Sequence, residues 1–150
     1  MDTFESFIAV LDYAIDKEIE ANRFYVGLAK QMKNPAMHKV FEAFAQEELG
    51  HKAKLEGIKQ GKKIPPAKNI TDLKIADYTV DVEPSADMSY QDALLLAMKK
   101  EKAAYRLYLD LADQVENKDQ KSLFLSLAQE EAKHKLRFEI EYDDVMLNQN

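Results

Sequence analysis

The sequence predicts an all-α protein, a four-helix bundle of two antiparallel hairpins joined by one long crossover. First, the composition suits one helix-rich globular domain: 150 residues are 46% hydrophobic and 32% charged, with only four Gly and four Pro. Second, apolar side chains recur at steps of three and four residues through four long segments. Third, short turns separate the segments within each half, whereas an irregular stretch separates the halves.

The first hairpin is predicted over residues 3–61. An apolar stripe runs from Phe4 along the first helix, and a second stripe begins directly after Asn34 and Pro35. Asparagine is a common helix N-cap and proline suits the first helical position, so this pair ends one helix and starts the next. Gly61 is expected to end the second helix. Helices joined by so short a turn run antiparallel.

Residues 62–88 are predicted to form the crossover, because they hold three of the four prolines and lack helical spacing. The second hairpin is predicted over residues 89–147. Ser89 resembles the start of a capping box for the third helix, and Asn117 is the expected start of the fourth. The whole chain is therefore assigned to a single domain.

The two hairpins repeat each other at a constant spacing of 83 positions, without a gap. The matched pairs include Leu11 and Leu94, Glu18 and Glu101, Tyr25 and Tyr108, Asn34 and Asn117, Phe41 and Phe124, Glu48 and Glu131, and His51 and His134. This internal duplication predicts a pseudo-twofold bundle in which equivalent residues face one another.

Four carboxylates occupy stripe positions where leucine or isoleucine is expected: Glu18, Glu48, Glu101 and Glu131. Buried carboxylates are costly and repel each other, so these groups must be protonated, exposed or bound to cations. Within each hairpin the two glutamates are equally distant from the turn, about 15 residues or roughly 22 Å along the helix. They therefore lie at one level near the middle of the bundle, which favours bound cations.

Two of the three histidines, His51 and His134, follow a stripe glutamate by three residues, which places both side chains on one helix face. A single Glu-x-x-His arises easily by chance, whereas the joint pattern does not. Glutamates on two helices with Glu-x-x-His on the other two form the ligand set of dinuclear carboxylate sites in helix bundles.

This ligand set carries a charge of −4, which two divalent ions would neutralise. Oxygen ligands with two imidazoles suit iron, with manganese as the alternative metal. We expect Glu48 and Glu131 to bridge the two ions, Glu18 and Glu101 to be terminal ligands, and each histidine to bind one ion. Glu48 and Glu131 are also the expected catalytic carboxylates.

Further candidates lie near these ligands. Tyr25 and Tyr108 follow the ligands of the first and third helices by seven residues; they are expected either to pack in the core or to hydrogen-bond a ligand. Both are included among the candidate catalytic residues. Glu47 and Glu130 precede the histidines by four residues and either orient them or face solvent. His38, which lacks a glutamate three positions earlier, is expected at the surface.

Composition and charge exclude several classes of function. Without cysteine the chain cannot form disulfides, thiolate zinc sites or iron–sulfur clusters. A net charge of −6 argues against binding nucleic acid through its phosphates. No apolar run approaches the roughly 20 residues of a membrane span, and the first residues, Met1 to Glu5, have no basic n-region of the kind that opens a signal sequence. We therefore expect no nucleic-acid or membrane partner and a cytoplasmic location.

On these residues the sequence resembles the rubrerythrin family of the ferritin-like superfamily. The matching segments are Glu18-x-x-Ala21-x-x-x-Tyr25 with Glu48-x-x-His51, and Glu101-x-x-Ala104-x-x-x-Tyr108 with Glu131-x-x-His134. The resemblance covers nearly the whole chain. It implies a ferritin-like bundle with a non-haem centre of two iron ions that reacts with hydrogen peroxide or dioxygen, in proteins of oxidative-stress defence.

The sequence departs from the family in two ways. Rubrerythrins carry a Cys-ligated rubredoxin domain, which is missing here, so electrons are expected from a separate protein such as a rubredoxin. The family also typically has a further Glu three residues after the third-helix ligand, where this chain has Ala104. We expect a peroxidase, with a ferroxidase or oxidase using dioxygen, or a non-catalytic iron-binding module, as alternatives. We also expect a homodimer, and leave open whether hairpins are exchanged between its chains.

Overall fold

The computed structural model describes residues 6–61, 84–85 and 88–148. All regular structure in these residues is α-helical, which confirms the predicted fold class. The predicted crossover, residues 62–88, lies outside the described residues except at 84–85 and 88.

Four helices form the bundle, in two hairpins. Helices α1 (Phe7–Gln31) and α2 (Pro35–Gly61) make the first, and α3 (Tyr90–Gln114) and α4 (Lys118–Leu147) make the second. Each hairpin turn is only three residues long, so its two helices pack antiparallel along their length.

Side-chain caps set where the helices begin. The Ser6 hydroxyl accepts a hydrogen bond from the Ala9 N–H at 3.1 Å, so Ser6 is the N-cap of α1, which begins at Phe7. Residues 3–5 of the predicted first hairpin lie outside the described residues. Asn34, Ser89 and Asn117 accept from backbone N–H groups two or three residues later, at 2.8 to 3.3 Å. These three residues are the helix starts that the sequence predicts.

The side chain that follows each turn also binds the helix before it. His38 Nδ1 lies 2.7 Å from the Ala29 carbonyl oxygen, and Lys121 Nζ donates to the Ala112 carbonyl oxygen at 2.7 Å. These two contacts are equivalent in the 83-residue repeat. His38 is partly exposed and its Nε2 lies 3.1 Å from a carboxylate oxygen of Glu42, in agreement with its expected surface position.

The two hairpins pack with α3 antiparallel to α1. Tyr25 near the end of α1 contacts Glu101 in the first half of α3, and Tyr108 near the end of α3 contacts Glu18 in the first half of α1. The end of α2 and the start of α3 consequently lie at opposite ends of the bundle. This is the order expected when two hairpins are joined by one long crossover.

Two apolar clusters fill the bundle, one toward each end. The leucine-rich end is built around Leu11, Leu55, Leu107, Leu111, Leu127 and Phe124. The aromatic end is built around Tyr25, Phe41, Phe44, Tyr90 and Phe138. The four stripe glutamates belong to neither cluster and lie between them, so each end of the bundle closes one side of the polar centre.

Candidate metal centre

All six predicted ligands converge at the middle of the bundle. Glu18, Glu48, Glu101 and Glu131 are each at most 2% exposed. The side chain of His134 is 2% exposed and that of His51 is 12% exposed. Charged side chains are rarely buried this deeply without a partner, so the cluster needs a compensating charge. The six residues are Glu18, Glu48, His51, Glu101, Glu131 and His134.

Each of two glutamates lies close to both histidines. The Oε1 atom of Glu48 is 3.2 Å from His51 Nδ1 and 3.8 Å from His134 Nδ1. The Oε1 atom of Glu131 is 3.2 Å from His134 Nδ1 and 3.8 Å from His51 Nδ1. One ligand atom from each of these four residues lies within 4.8 Å of the others, a spacing that can hold a metal ion.

The other two glutamates each lie near one histidine. Glu18 Oε2 is 3.5 Å from His51 Nδ1, and Glu101 Oε2 is 3.5 Å from His134 Nδ1. The two histidine rings are nearly parallel, with centroids 5.6 Å apart. The centre therefore contains two equivalent positions, and we call them the His51 position and the His134 position after their imidazoles.

The buried oxygen and nitrogen atoms of these six residues indicate whether metal ions fit here. Each of the six residues has a buried atom without a hydrogen-bond partner among the described residues: Oε1 of Glu18, Glu48, Glu101 and Glu131, and Nδ1 of His51 and His134. A buried acceptor left unpaired costs about 1–3 kcal/mol, and more when it is charged. Oxygen and imidazole donors of this kind fit divalent metal ions.

Without metal, the cluster holds protons tightly. Burial and the charges of Glu18 and Glu101 raise the pKa of Glu48 to about 8. Burial and the neighbouring carboxylates raise the pKa of Glu131 well above its ordinary value. For His51 burial acts in the opposite direction, but the nearby carboxylates outweigh it and raise the pKa to about 10. Divalent ions would replace these protons.

Two tyrosines cross between the hairpins to reach ligands. The Tyr25 hydroxyl donates to Glu101 Oε2, and the Tyr108 hydroxyl donates to Glu18 Oε2. Burial, together with those carboxylates, raises the pKa of both phenols well above the ordinary value. Tyr25 also stacks against Phe138, so it both packs in the core and hydrogen-bonds a ligand. Each tyrosine binds the glutamate of the opposite hairpin, and the sequence pattern did not predict this pairing.

The residues behind the two histidines differ. Glu47 Oε1 lies 3.1 Å from His134 Nε2, and Arg137 Nη1 donates to both carboxylate oxygens of Glu47 at 3.2 and 3.0 Å. Burial of Glu47 opposes its charge, yet Arg137 and His134 outweigh burial and lower its pKa. Its equivalent, Glu130, instead lies 3.6 Å from Lys133 Nζ. Glu47 thus orients the histidine of the other hairpin, not that of its own helix.

A small cavity reaches the centre between α1 and α3. Its volume is about 20 Å³, and its lining includes Ala21, Ala104, Lys17, Lys100 and ligand glutamates. That volume is enough for about one water molecule. Sequence reasoning assigned no role to Lys17 and Lys100, although their 83-residue spacing in the repeat marks them as a pair.

In the part of the chain that the structure describes, no helix combines the length and the apolar character needed to cross a membrane.

Comparisons with known proteins identify the family and the fold of this chain. The family model for rubrerythrin matches residues 9–142. A hypothetical protein from Pyrococcus furiosus is 29% identical, with a TM-score of 0.64 over 89% of this chain and 86% of its own. A Thermotoga maritima protein, proposed to be a ferritin-like diiron-carboxylate protein, is 21% identical, with a TM-score of 0.73 over 93% of this chain and 96% of its own. None of the curated proteins matches the chain.

The second of these structures shares the ferritin-like fold, and the family match extends over both hairpins and all six candidate ligands. The chain therefore belongs to the rubrerythrin family.

Proposed function

We propose that the protein binds two iron ions between its hairpins and reduces hydrogen peroxide to water. The observation that carries this proposal is the set of six buried donor atoms that lack a hydrogen-bond partner among the described residues, on side chains that meet at the middle of the bundle. Membership of the rubrerythrin family supports iron, since diiron-carboxylate centres are typical of this fold. Manganese is the alternative metal, because the same hard ligands accept it.

The distances support a different role for each pair of carboxylates. Glu48 and Glu131 approach both histidines, so they would hold both ions. Glu18 and Glu101 approach one histidine each, so each would hold one ion. Four carboxylates carry four negative charges, and two divalent ions balance them.

The reaction needs two electrons and two protons, which convert one molecule of hydrogen peroxide into two molecules of water. Two iron ions held by these six residues would supply the two electrons. These 150 residues contain no cysteine and so no ligands for a rubredoxin-type iron, which supports a separate electron-transfer protein such as a rubredoxin as the source of these electrons.

The chain itself positions the ligands and limits access. Tyr25 and Tyr108 hold Glu101 and Glu18 by one oxygen, which leaves the other oxygen of each carboxylate free for a metal. The cavity of about 20 Å³ beside Ala104 admits only very small molecules. Apolar packing at both ends of the bundle keeps water away from the remaining sides.

Ferroxidation or oxidase chemistry with dioxygen is the second candidate. The observation that favours it is Ala104, which lines the cavity beside Glu18 and Glu131 where the family typically has a further carboxylate. Without that carboxylate the ligand set is smaller and symmetric, which would favour reaction with dioxygen or simple ferroxidation. A non-catalytic iron-binding module would use the same ligands without turnover.

Anaerobic stopped-flow mixing separates these functions. The protein loaded with two ferrous ions is mixed with hydrogen peroxide or with dissolved dioxygen, and oxidation is followed by absorption. We expect hydrogen peroxide to oxidise the ferrous-loaded protein at least tenfold faster than dioxygen does. Faster reaction with dioxygen would indicate an oxidase or ferroxidase, and slow reaction with both would indicate an iron-binding module.

The homodimer and the cytoplasmic location stay predictions. Light scattering of the metal-loaded protein in solution tests the first, and a mass near 17.2 kDa would contradict it, because that is the mass of one chain.

A further inference from the structure

The two metal positions have matching ligands, but the two histidines differ in the hydrogen bonds that hold them. Three pairs of ligand distances are identical between them, at 3.2, 3.5 and 3.8 Å. The difference begins at the far nitrogen of each imidazole. His134 Nε2 contacts Glu47, whereas no described residue forms a hydrogen bond with His51 Nε2.

The support of His134 is a closed set of contacts. Arg137 donates to Glu47, and its guanidinium lies 4.3 Å from the centroid of the Phe44 ring. The edge of Phe44 in turn meets His134, with ring centroids 5.0 Å apart and planes at 87°. A cation over an aromatic face is attracted to it, so Arg137 and Glu47 are held in place. These contacts restrict both the position and the rotation of the imidazole.

The repeat places different side chains behind His51. At the equivalents of Glu47, Arg137 and Phe44 the sequence has Glu130, Lys54 and Leu127. A lysine lacks the planar fork that holds a carboxylate, and leucine offers no aromatic face for a cation. Glu130 contacts Lys133 on its own helix.

A hydrogen bond at one nitrogen decides how the other nitrogen behaves. When Nε2–H of His134 donates to Glu47, Nδ1 carries its lone pair toward the metal position, as a ligand must. The carboxylate also makes the imidazole more basic and fixes its orientation. Removing such a partner typically costs about 10- to 100-fold in metal affinity.

We propose that Glu47, oriented by Arg137 and Phe44, is a positioning residue that makes the His134 position the tighter of the two metal positions. The His134 position fills first, and the His51 position fills second and releases its ion first. This inference rests on the dinuclear centre of the proposed function, but it concerns binding and needs no oxidant.

Stepwise titration with Co²⁺ alone, followed by absorption and calorimetry, tests the proposal. The native protein should bind two ions in two steps whose dissociation constants differ at least tenfold. Glu47→Ala should weaken the tighter step about 10- to 100-fold and bring the two steps together. Glu130→Ala, the matched change in the other hairpin, should leave both steps unchanged.

Two further measurements separate positioning from general structure. Glu47→Gln keeps an oxygen acceptor for Nε2–H, so it should recover part of the affinity that Glu47→Ala loses. In the Zn²⁺-loaded protein, NMR should show a slowly exchanging Nε2 proton on His134, and Glu47→Ala should remove it while Glu130→Ala does not. Both alanine variants change partly exposed side chains, and unchanged helical circular dichroism verifies their fold.

The outcomes distinguish the inference from the proposed function. Equal affinities in the native protein, or equal effects of Glu47→Ala and Glu130→Ala, would overturn the inference alone. Failure to bind two ions would overturn both. Two unequal steps in a protein that does not reduce peroxide would support the inference and contradict only the proposed peroxidase activity.

Discussion

The two ends of the bundle enclose the same ligands with different packing. At the aromatic end, Phe44 and Phe138 stack with ring centroids 4.0 Å apart. Their equivalents in the repeat, at the leucine-rich end, are Leu127 and Leu55. All four side chains are at most 3% exposed, so both ends are shielded from solvent at these positions although their side chains differ.

This difference shows which features the centre requires and which it tolerates. The Glu–His distances are the same in both halves, at 3.2, 3.5 and 3.8 Å, as two equivalent metal positions would require. The packing behind the ligands has only to fill volume, so an aromatic ring and a leucine can exchange. At Phe44 the ring also contacts Arg137, which in turn donates to Glu47, so a leucine there would lose this contact.

The largest effect is expected when a carboxylate that approaches both metal positions is removed. Glu48→Ala and Glu131→Ala should each abolish binding of two ions per chain, because each carboxylate approaches both metal positions. Glu18→Ala and Glu101→Ala should weaken one position and leave the other. Elemental analysis after anaerobic loading and desalting gives the metal content; two ions per chain in Glu48→Ala or Glu131→Ala would disprove the bridging assignment.

The next effect concerns pH: the stability of the metal-free protein should fall as the pH rises, whereas the stabilisation by bound metal should increase. In the metal-free fold the pKa of Glu48 is raised from 4.5 to about 8, and that of His51 from 6.5 to about 10. The folded form therefore holds protons more tightly than the unfolded chain. The stability from Glu48 is complete below pH 4.5 and is lost as the pH rises through 8, and that from His51 is complete below 6.5 and lost through 10.

Thermal unfolding measured with and without metal tests whether the stability of the metal-free protein falls as the pH rises. Between pH 6 and pH 9 the Tm of the metal-free protein should fall by about 5 °C or more. The increase in Tm that bound metal gives should grow over the same range, because fewer protons then compete for the ligands. A metal-free Tm that rises with pH would contradict the proton-holding cluster.

Replacing either tyrosine by phenylalanine tests the two metal positions separately, because each tyrosine hydrogen-bonds a glutamate of the opposite hairpin. Tyr25→Phe removes the donor to Glu101 and should weaken the His134 position about tenfold, or about 1.4 kcal/mol. Tyr108→Phe removes the donor to Glu18 and should weaken the His51 position by a similar factor. In the Co²⁺ titration the first variant should narrow the gap between the two steps and the second should widen it. The reverse assignment would show that the tyrosines act within their own hairpins.

The smallest expected effects lie at the turns. His38→Ala and Lys121→Ala each remove one hydrogen bond to a carbonyl oxygen near the end of the preceding helix. Each should lower the free energy of unfolding of the metal-free protein by about 0.5–1.5 kcal/mol, as measured in urea. Metal content should not change, and a loss of bound metal would show that the turns control the centre.

Most of the fold followed from local patterns. The stripe beginning at Phe4, the caps at Asn34 and Asn117 and the 83-residue repeat predicted the helices and their pairing. The cap at Ser6 was not predicted, because the hydrophobic stripe continues on the N-terminal side of Ser6, whereas the cap sets where the helix begins. Helix ends depend on single hydrogen bonds that periodicity does not detect.

The sequence by itself determined which six side chains face the middle of the bundle, because helical spacing sets the face and the level of each residue. Only the tertiary structure decided which residues meet there. Tyr25 binds Glu101, 76 positions away, and Glu47 reaches His134, 87 positions away. Such contacts depend on the rotation and offset of one hairpin against the other. Packing of both apolar ends sets that arrangement, and no local pattern in the sequence encodes it.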